Sequence, residues 1–287
     1  MSTALRPLIC LLLVALLSAC ASQPIVVSSF GIHATTRPEV IERGRYLVYG
    51  PAHCAECHGA DLSGGREFAS NGLFGRVIAP NLTTDPIAGL GDVSDDALVQ
   101  SLRYGVSRHG RPMLPYMVYF ALADDDLQAI VSFLRTVPAV PGVAPQDGLS
   151  ALGRFSVQHL LPRQLPTERP SEHVEPGRNA EYGSYLADAV AVCRGCHTRR
   201  RWNGTFTGTP YAGGTKIRGE SGEFIAPNLT PGPEGVLNSD SEQNFIDRFR
   251  RTGPSKQGSP MPWSSYARMS DMELGAIYRY LRSLPPG

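Results

Sequence analysis

The chain has 287 residues, 42% hydrophobic and 18% charged, with 27 Lys and Arg against 26 Asp and Glu for a net charge of +1. This balance gives no basic face for nucleic acid. The basic residues are nearly all arginine, the exceptions being Lys216 and Lys256, so no lysine-rich surface exists to steer an acidic partner.

Residues 1–19 read as a secretory leader. Arg6 supplies the positive start, and Leu8 to Leu17 an apolar run of about ten residues, short for a spanning helix. Leu17-Ser18-Ala19-Cys20 resembles a bacterial lipobox, in which Cys20 is lipidated and becomes the first mature residue. The other reading is an ordinary cleavage site with an incidental cysteine. Acyl chains on Cys20 hold a protein at a membrane surface without a spanning helix. An exported lipoprotein on the periplasmic face of a bacterial membrane is expected, inner or outer being open. Residues 20–36 are its tether.

A first unit is expected over 37–139. Gly44-Arg45-Tyr46-Leu47 leads to Cys54-Ala55-Glu56-Cys57-His58 and then to Ala79-Pro80-Asn81-Leu82-Thr83. Ser94-Asp95-Asp96 starts a helix carrying Leu98, Val99 and Leu102 on one face. Pro112-Met113 follows, then a helix with Leu127, Ile130, Val131 and Leu134 ahead of Pro138. Residues 140–178 are a proline-punctuated, partly ordered linker. Its amphipathic stretch (Leu149, Leu152, Phe155, Leu160, Leu161) is placed to pack across two halves.

The same signals return in the same order over 179–287, which marks a duplicated unit. Gly183-Ser184-Tyr185-Leu186 precedes Cys193-Arg194-Gly195-Cys196-His197, then Ala226-Pro227-Asn228-Leu229-Thr230. A helix starting at Ser239-Asp240 carries Phe245, Ile246 and Phe249, and Pro260-Met261-Pro262-Trp263 follows. Ser270 and Glu273 form a capping box for a last helix with Leu274, Ile277, Tyr278 and Leu281. No run alternates as a strand does, so an all-α fold is expected, its long loops wrapping a prosthetic group.

C-x-x-C-H is the attachment sequence of c-type haem. Cys54 and Cys57, and again Cys193 and Cys196, bond two thiols to one porphyrin edge, and His58 and His197 ligate iron. Six cysteines are thereby accounted for, with Cys10 inside the leader. A redox C-x-x-C gives no reason for the histidine, and a four-thiolate zinc site would need pairs brought from far apart in sequence. The sixth iron ligand is read as Met261, between two prolines, and as Met113, which precedes Leu127 by one residue more than Met261 precedes Leu274. Met117 stays open as an alternative at the first site, as do His109 and His53. Asn81 and Asn228 suit either a backbone turn or a reach to a haem propionate or axial sulfur. Arg199, Arg200 and Arg201 suit a solvated loop, propionate contact or an acidic partner.

These residues resemble diheme c-type cytochromes of bacteria, and are similar to the cytochrome subunits of membrane-bound periplasmic dehydrogenases. The resemblance runs from about residue 40 to the end, apart from much of the linker. It implies two tandem class I cytochrome c-like domains, His58 and His197 as proximal ligands, and Met113 and Met261 opposite. The dehydrogenase subunits often carry three haems, whereas two attachment motifs occur here. The function implied is electron transfer between a dehydrogenase or other donor and a respiratory acceptor, not catalysis. The alternative is a diheme peroxidase with one open haem site. A haem-based sensor would need an output domain for which the length leaves no room.

Overall fold

The computed structural model describes residues 31–114, 119–142, 148–161, 169–201, 203–219, 222–252 and 258–287. In chain order the elements are α1 (Pro38–Tyr49), α2 (Cys54–His58), β1 (Glu67–Asn71), β2 (Gly75–Ile78), α3 (Asp95–Tyr104), α4 (Asp124–Leu134) and α5 (Ala151–His159). There follow α6 (Ala180–Tyr185), a π-helical turn (Leu186–Val190), α7 (Arg194–His197), β3 (Lys216–Gly219), β4 (Gly222–Ile225), α8 (Glu242–Thr252), α9 (Trp263–Tyr266) and α10 (Asp271–Ser283). The leader, Cys20 and most of the tether lie outside the described residues, as does Met117. No helix among the described residues is long and apolar enough to cross a membrane.

Each half is built on a helix pair. α1 packs on α4, and α6 packs on α10. Glycine sets both crossings. A Cβ on Gly44 would lie 1.9 Å from the carbonyl oxygen of Ala129, and one on Gly183 would lie 1.9 Å from that of Ala276. The close backbone approach buries Leu47, Leu127, Ile130 and Leu134 in the first half and Leu186, Leu274, Ile277 and Leu281 in the second. Helix starts follow the sequence signals. Ser94 caps α3 through Ala97 N–H, and Ser270 with Glu273 forms the capping box of α10. α8 differs from expectation. It is capped by Ser241, whose Oγ accepts from Asn244 N–H, while Asp240 pairs with Arg248 at 2.7 Å.

The all-α expectation is corrected by two antiparallel hairpins, β1–β2 and β3–β4. Their strands have four or five residues, too short for alternation to stand out in sequence. Both hairpins run directly into the Ala-Pro-Asn-Leu-Thr loops. The linker stretch forms α5, but its described contacts are with the first hairpin rather than across the halves. Ser150 Oγ donates to the Leu73 carbonyl at 2.7 Å and Arg76 N–H to that of Gly148 at 2.7 Å.

The two halves are joined by a reciprocal clasp of buried polar groups. Tyr46 O–H donates to Glu273 Oε2 at 2.5 Å, and Tyr185 O–H donates to Asp126 Oδ2 at 2.6 Å. Tyr46 and Tyr185 each sit two residues after the crossing glycine, and Asp126 and Glu273 each sit one residue before the core leucine. Each half thus supplies one phenol and one carboxylate. Arg43 lies between the acids, making two hydrogen bonds to Asp126 at 2.8 and 3.0 Å and approaching Glu273 at 3.9 Å.

Candidate haem-attachment sites

Both C-x-x-C-H segments are entered through a strained residue. His53 has φ 43° and Val192 has φ 45°, the left-handed region that non-glycine residues rarely adopt. A β-branched valine there is a particular outlier. The carbonyls just upstream are pinned, since Tyr119 O–H donates to Ala52 O at 2.7 Å and Tyr266 O–H to Ala191 O at 2.8 Å. Both tyrosines are buried. The turn then places two thiols and an imidazole within five residues.

The thiols are free, and burial pushes Cys54 and Cys193 up to about 12 and raises Cys57 and Cys196 as well. A redox-active C-x-x-C needs the opposite, a thiol lowered toward thiolate. Among the described residues no group of three or more His, Cys, Asp or Glu side chains could hold a metal ion. Both rival readings of the cysteines therefore lose their chemistry.

The histidines are held in the neutral tautomer that a metal ligand needs. His58 Nδ1 lies 2.7 Å from the Pro80 carbonyl, and His197 Nδ1 lies 2.9 Å from that of Pro227. A carbonyl only accepts, so Nδ1 carries the proton and Nε2 keeps its lone pair. Burial is the main influence on both rings and lowers their pKa, leaving the neutral form that a metal requires. His58 Nε2 is buried without any hydrogen-bond partner. An orphaned buried nitrogen costs about 1–3 kcal/mol unless something occupies its lone pair. Thiols, oriented imidazole and orphaned nitrogen fit haem c.

The proline carbonyls are functional atoms that the side-chain pattern did not disclose. The hairpins and the following turns hold them. Asn81 accepts from Thr83 N–H at 2.8 Å and donates to Val140 O at 3.0 Å, while Asn228 accepts from Thr230 N–H at 2.8 Å and donates to Gly287 O at 3.0 Å. Both asparagine side chains thus clamp backbone, as the turn reading held.

Met113 and Met261 are half-buried in corresponding loops, Met113 N–H donating to Gly105 O at 2.6 Å and Met261 packing against the core. Met269 is buried in the core and Met272 packs on it. Tyr119 and Tyr266 give the alignment a fixed point, each eight residues before its core leucine, Leu127 or Leu274. The single extra residue of the first half therefore lies between Met113 and Tyr119. Across the halves, the His53 and Tyr266 rings meet edge to face at 5.6 Å, and Glu56 Oε1 accepts from Ser264 and Ser265 hydroxyls at 2.7 Å each. Side chains of one attachment motif and its entry residue are thus in contact with α9, whose Tyr266 pins the entry to the other. Arg200 stacks on Phe206 at 4.7 Å and Arg194 on the same ring at 5.0 Å.

Residues 41–138 match the family model described as cytochrome c. The chain is 29% identical, over 85% of its length, to a nicotinate dehydrogenase component of Pseudomonas putida, of which it covers 21%. It is 38% identical, over 37% of its length, to the cytochrome c subunit of alcohol dehydrogenase (quinone) of Gluconacetobacter polyoxogenes, covering 26% of it. It is 27% identical, over 83% of its length, to a diheme cytochrome c-type protein of Cereibacter sphaeroides, covering 84% of it. The chain spans about a fifth to a quarter of the first two relatives. Residues 41–138 are a cytochrome c domain, and the chain, a carrier of covalently bound haem c, is homologous to a diheme cytochrome c and to cytochrome c subunits of dehydrogenases.

Proposed function

We propose that the chain is a diheme electron carrier built from two tandem class I cytochrome c-like domains, 37–139 and 179–287, joined by the 140–178 linker. Each haem is held through Cys54 and Cys57 or Cys193 and Cys196. His58 and His197 would supply one ligand to each iron, and Met113 and Met261 the second. The observation that carries this reading is the duplicated imidazole geometry: Nδ1 fixed by the Pro80 or Pro227 carbonyl, and Nε2 of His58 buried with no partner. When bound, haem c supplies reversible one-electron chemistry, and Met/His ligation favours a higher potential than two histidines. The protein's part is to hold the imidazole tautomer, exclude water with the buried tyrosines, and keep the attachment motifs close through the His53–Tyr266 contact. With both groups bound, the chain would carry electrons between a dehydrogenase or other donor and a respiratory acceptor. Ligands on both faces leave no open iron site for peroxidase chemistry. The leader and Cys20 support an exported lipoprotein on the periplasmic face of a membrane, which the mass of the mature N-terminus reads directly.

The test is spectroscopic. The purified protein should contain two covalent haems and show a sulfur-to-ferric-iron charge-transfer band. Met261→His should remove the second site's share of that band and lower one potential. Met113→Leu should remove the remainder, and Met117→Leu should leave it. A high-spin ferric spectrum, or hydrogen peroxide turnover with a cytochrome donor, would overturn the carrier reading.

A further inference from the structure

The two halves match closely around their attachment motifs, so positions where they differ are informative. Tyr49 lies five residues after Gly44, and Asp188 lies five after Gly183. Leu62 and Tyr211 are also counterparts. Both are left-handed, at φ 61° and 64°, and their carbonyls accept from Leu82 and Leu229 N–H at 2.8 Å. Phe133 and Tyr280 lie six residues after Leu127 and Leu274. In the first half Tyr49 and Phe133 meet edge to face at 5.9 Å, and the Tyr49 hydroxyl donates to the Ala60 carbonyl at 3.0 Å. In the second half the ring pair is Tyr211 and Tyr280, edge to face at 5.8 Å, and a carboxylate stands where Tyr49 stood.

That carboxylate is positioned on both oxygens. Tyr211 O–H donates to Asp188 Oδ1 at 2.6 Å, and Tyr280 O–H donates to Oδ2 at 2.7 Å. A group accepting phenol protons on both oxygens is in its acceptor-only, anionic form. Asp188 lies in the π-helical turn Leu186–Val190, whereas the corresponding stretch of α1 remains α-helical through Tyr49. π turns recur at functional positions. The turn leads directly to the attachment motif, Cys193 N–H donating to Ala187 O at 2.8 Å. Among the described residues no lysine or arginine forms an ion pair with Asp188. Arg194 lies near Tyr280 but stacks on Phe206.

We infer that Asp188, held by Tyr211 and Tyr280, lowers the potential of the second haem by favouring its ferric state. The inference rests on the diheme reading above. Reduction adds one electron, taken from the redox donor, and lowers the iron centre's positive charge by one. A fixed negative charge beside it opposes that step. At the place Asp188 holds, the first half has Tyr49, with Leu62 and Phe133 standing where Tyr211 and Tyr280 stand; the first motif's own carboxylate, Glu56, is bonded instead to Ser264 and Ser265.

The experiment is a spectroelectrochemical titration of the intact diheme protein and its Asp188→Asn variant. The second haem's transition is identified as the one displaced by Met261→His. Asp188→Asn should raise that transition, favouring the ferrous form about tenfold at a fixed applied potential, equivalent to about 59 mV for one electron. The first transition should stay in place. Asp188→Ser is the second neutral variant and should move the same transition in the same direction. No shift, a downward shift, or equal shifts of both transitions would overturn the inference. So would loss of the second haem from both variants, which would make Asp188 an assembly residue. Failure of the carrier reading is seen separately, as a wrong haem count or absent charge-transfer bands in the unaltered protein.

Discussion

Replacing Arg43 by methionine isolates the clasp that joins the halves. Methionine keeps much of the aliphatic stem and removes the charge. Arg43 is 32% exposed at its side chain, against 11% for Asp126 and 6% for Glu273. The variant therefore leaves two nearly buried carboxylates without their cation. Removing one partner of a buried pair costs about 3–5 kcal/mol. The partial exposure of Arg43 and the phenol donors that remain reduce this to about 2–4 kcal/mol. At about 2–4 °C per kcal/mol for a chain of this size, Tm should fall by about 4–16 °C. Urea unfolding followed by far-UV circular dichroism at pH 7 should show this deficit, and Arg43→Met/Asp126→Asn should recover part of it. A loss under about 1 kcal/mol, or no recovery in the double variant, would refute the argument that Arg43 neutralises buried acids.

Two further outcomes follow from the geometry. His173 lies between Asp125 and Glu175, at 2.9 and 3.2 Å, and the hydrogen bond to Asp125, then that to Glu175, raises its pKa. Its stabilisation is complete below the unfolded value near 6.5 and lost as pH rises through the folded value, so His173→Gln should lower Tm at about pH 6 and leave it unchanged above about pH 8. Blocking attachment with Cys193→Ser/Cys196→Ser should leave the second half poorly folded, because a domain of about 100 residues has limited core volume without its haem. Limited proteolysis should then cut within residues 179–287 and spare the first half, and a protease-resistant second half would count against a haem-dependent core.

The helices were legible because their signals are local. Ser270 and Glu273 announce a capping box, and Leu127, Ile130, Val131 and Leu134 announce a buried face four residues at a time. The attachment motifs were legible because thiol spacing is chemistry written in sequence. The hairpins were not, since a four-residue strand such as Lys216–Gly219 carries too few alternations to register. Nor were the carbonyls of Pro80 and Pro227 as histidine partners, because a backbone atom leaves no residue-type signature. Tyr46 and Tyr185 read as core or haem-wall aromatics. Their hydroxyls instead cross to Glu273 and Asp126 in the other half, contacts separated by 227 and 59 positions that no local pattern records.

Duplication turns this difference into an argument about function. Where two copies of a unit must perform the same task, the geometry is kept: Gly44 and Gly183 at the crossings, Tyr119 and Tyr266 on the carbonyls before the motifs, and Pro80 and Pro227 on the imidazoles. These hold a haem and are indifferent to which haem it is. Where the copies diverge, several of the changes move a charge. Arg43 faces an acid of the other half where its counterpart is Tyr182, Glu56 is replaced by Gly195, and Tyr49 by Asp188. Each moves a charge by one unit. A relay through two identical centres has no preferred direction. Unequal charge around equal scaffolds is the least disruptive way for such a chain to acquire one, because electrostatic influence on an iron centre does not require the first-sphere ligands to change.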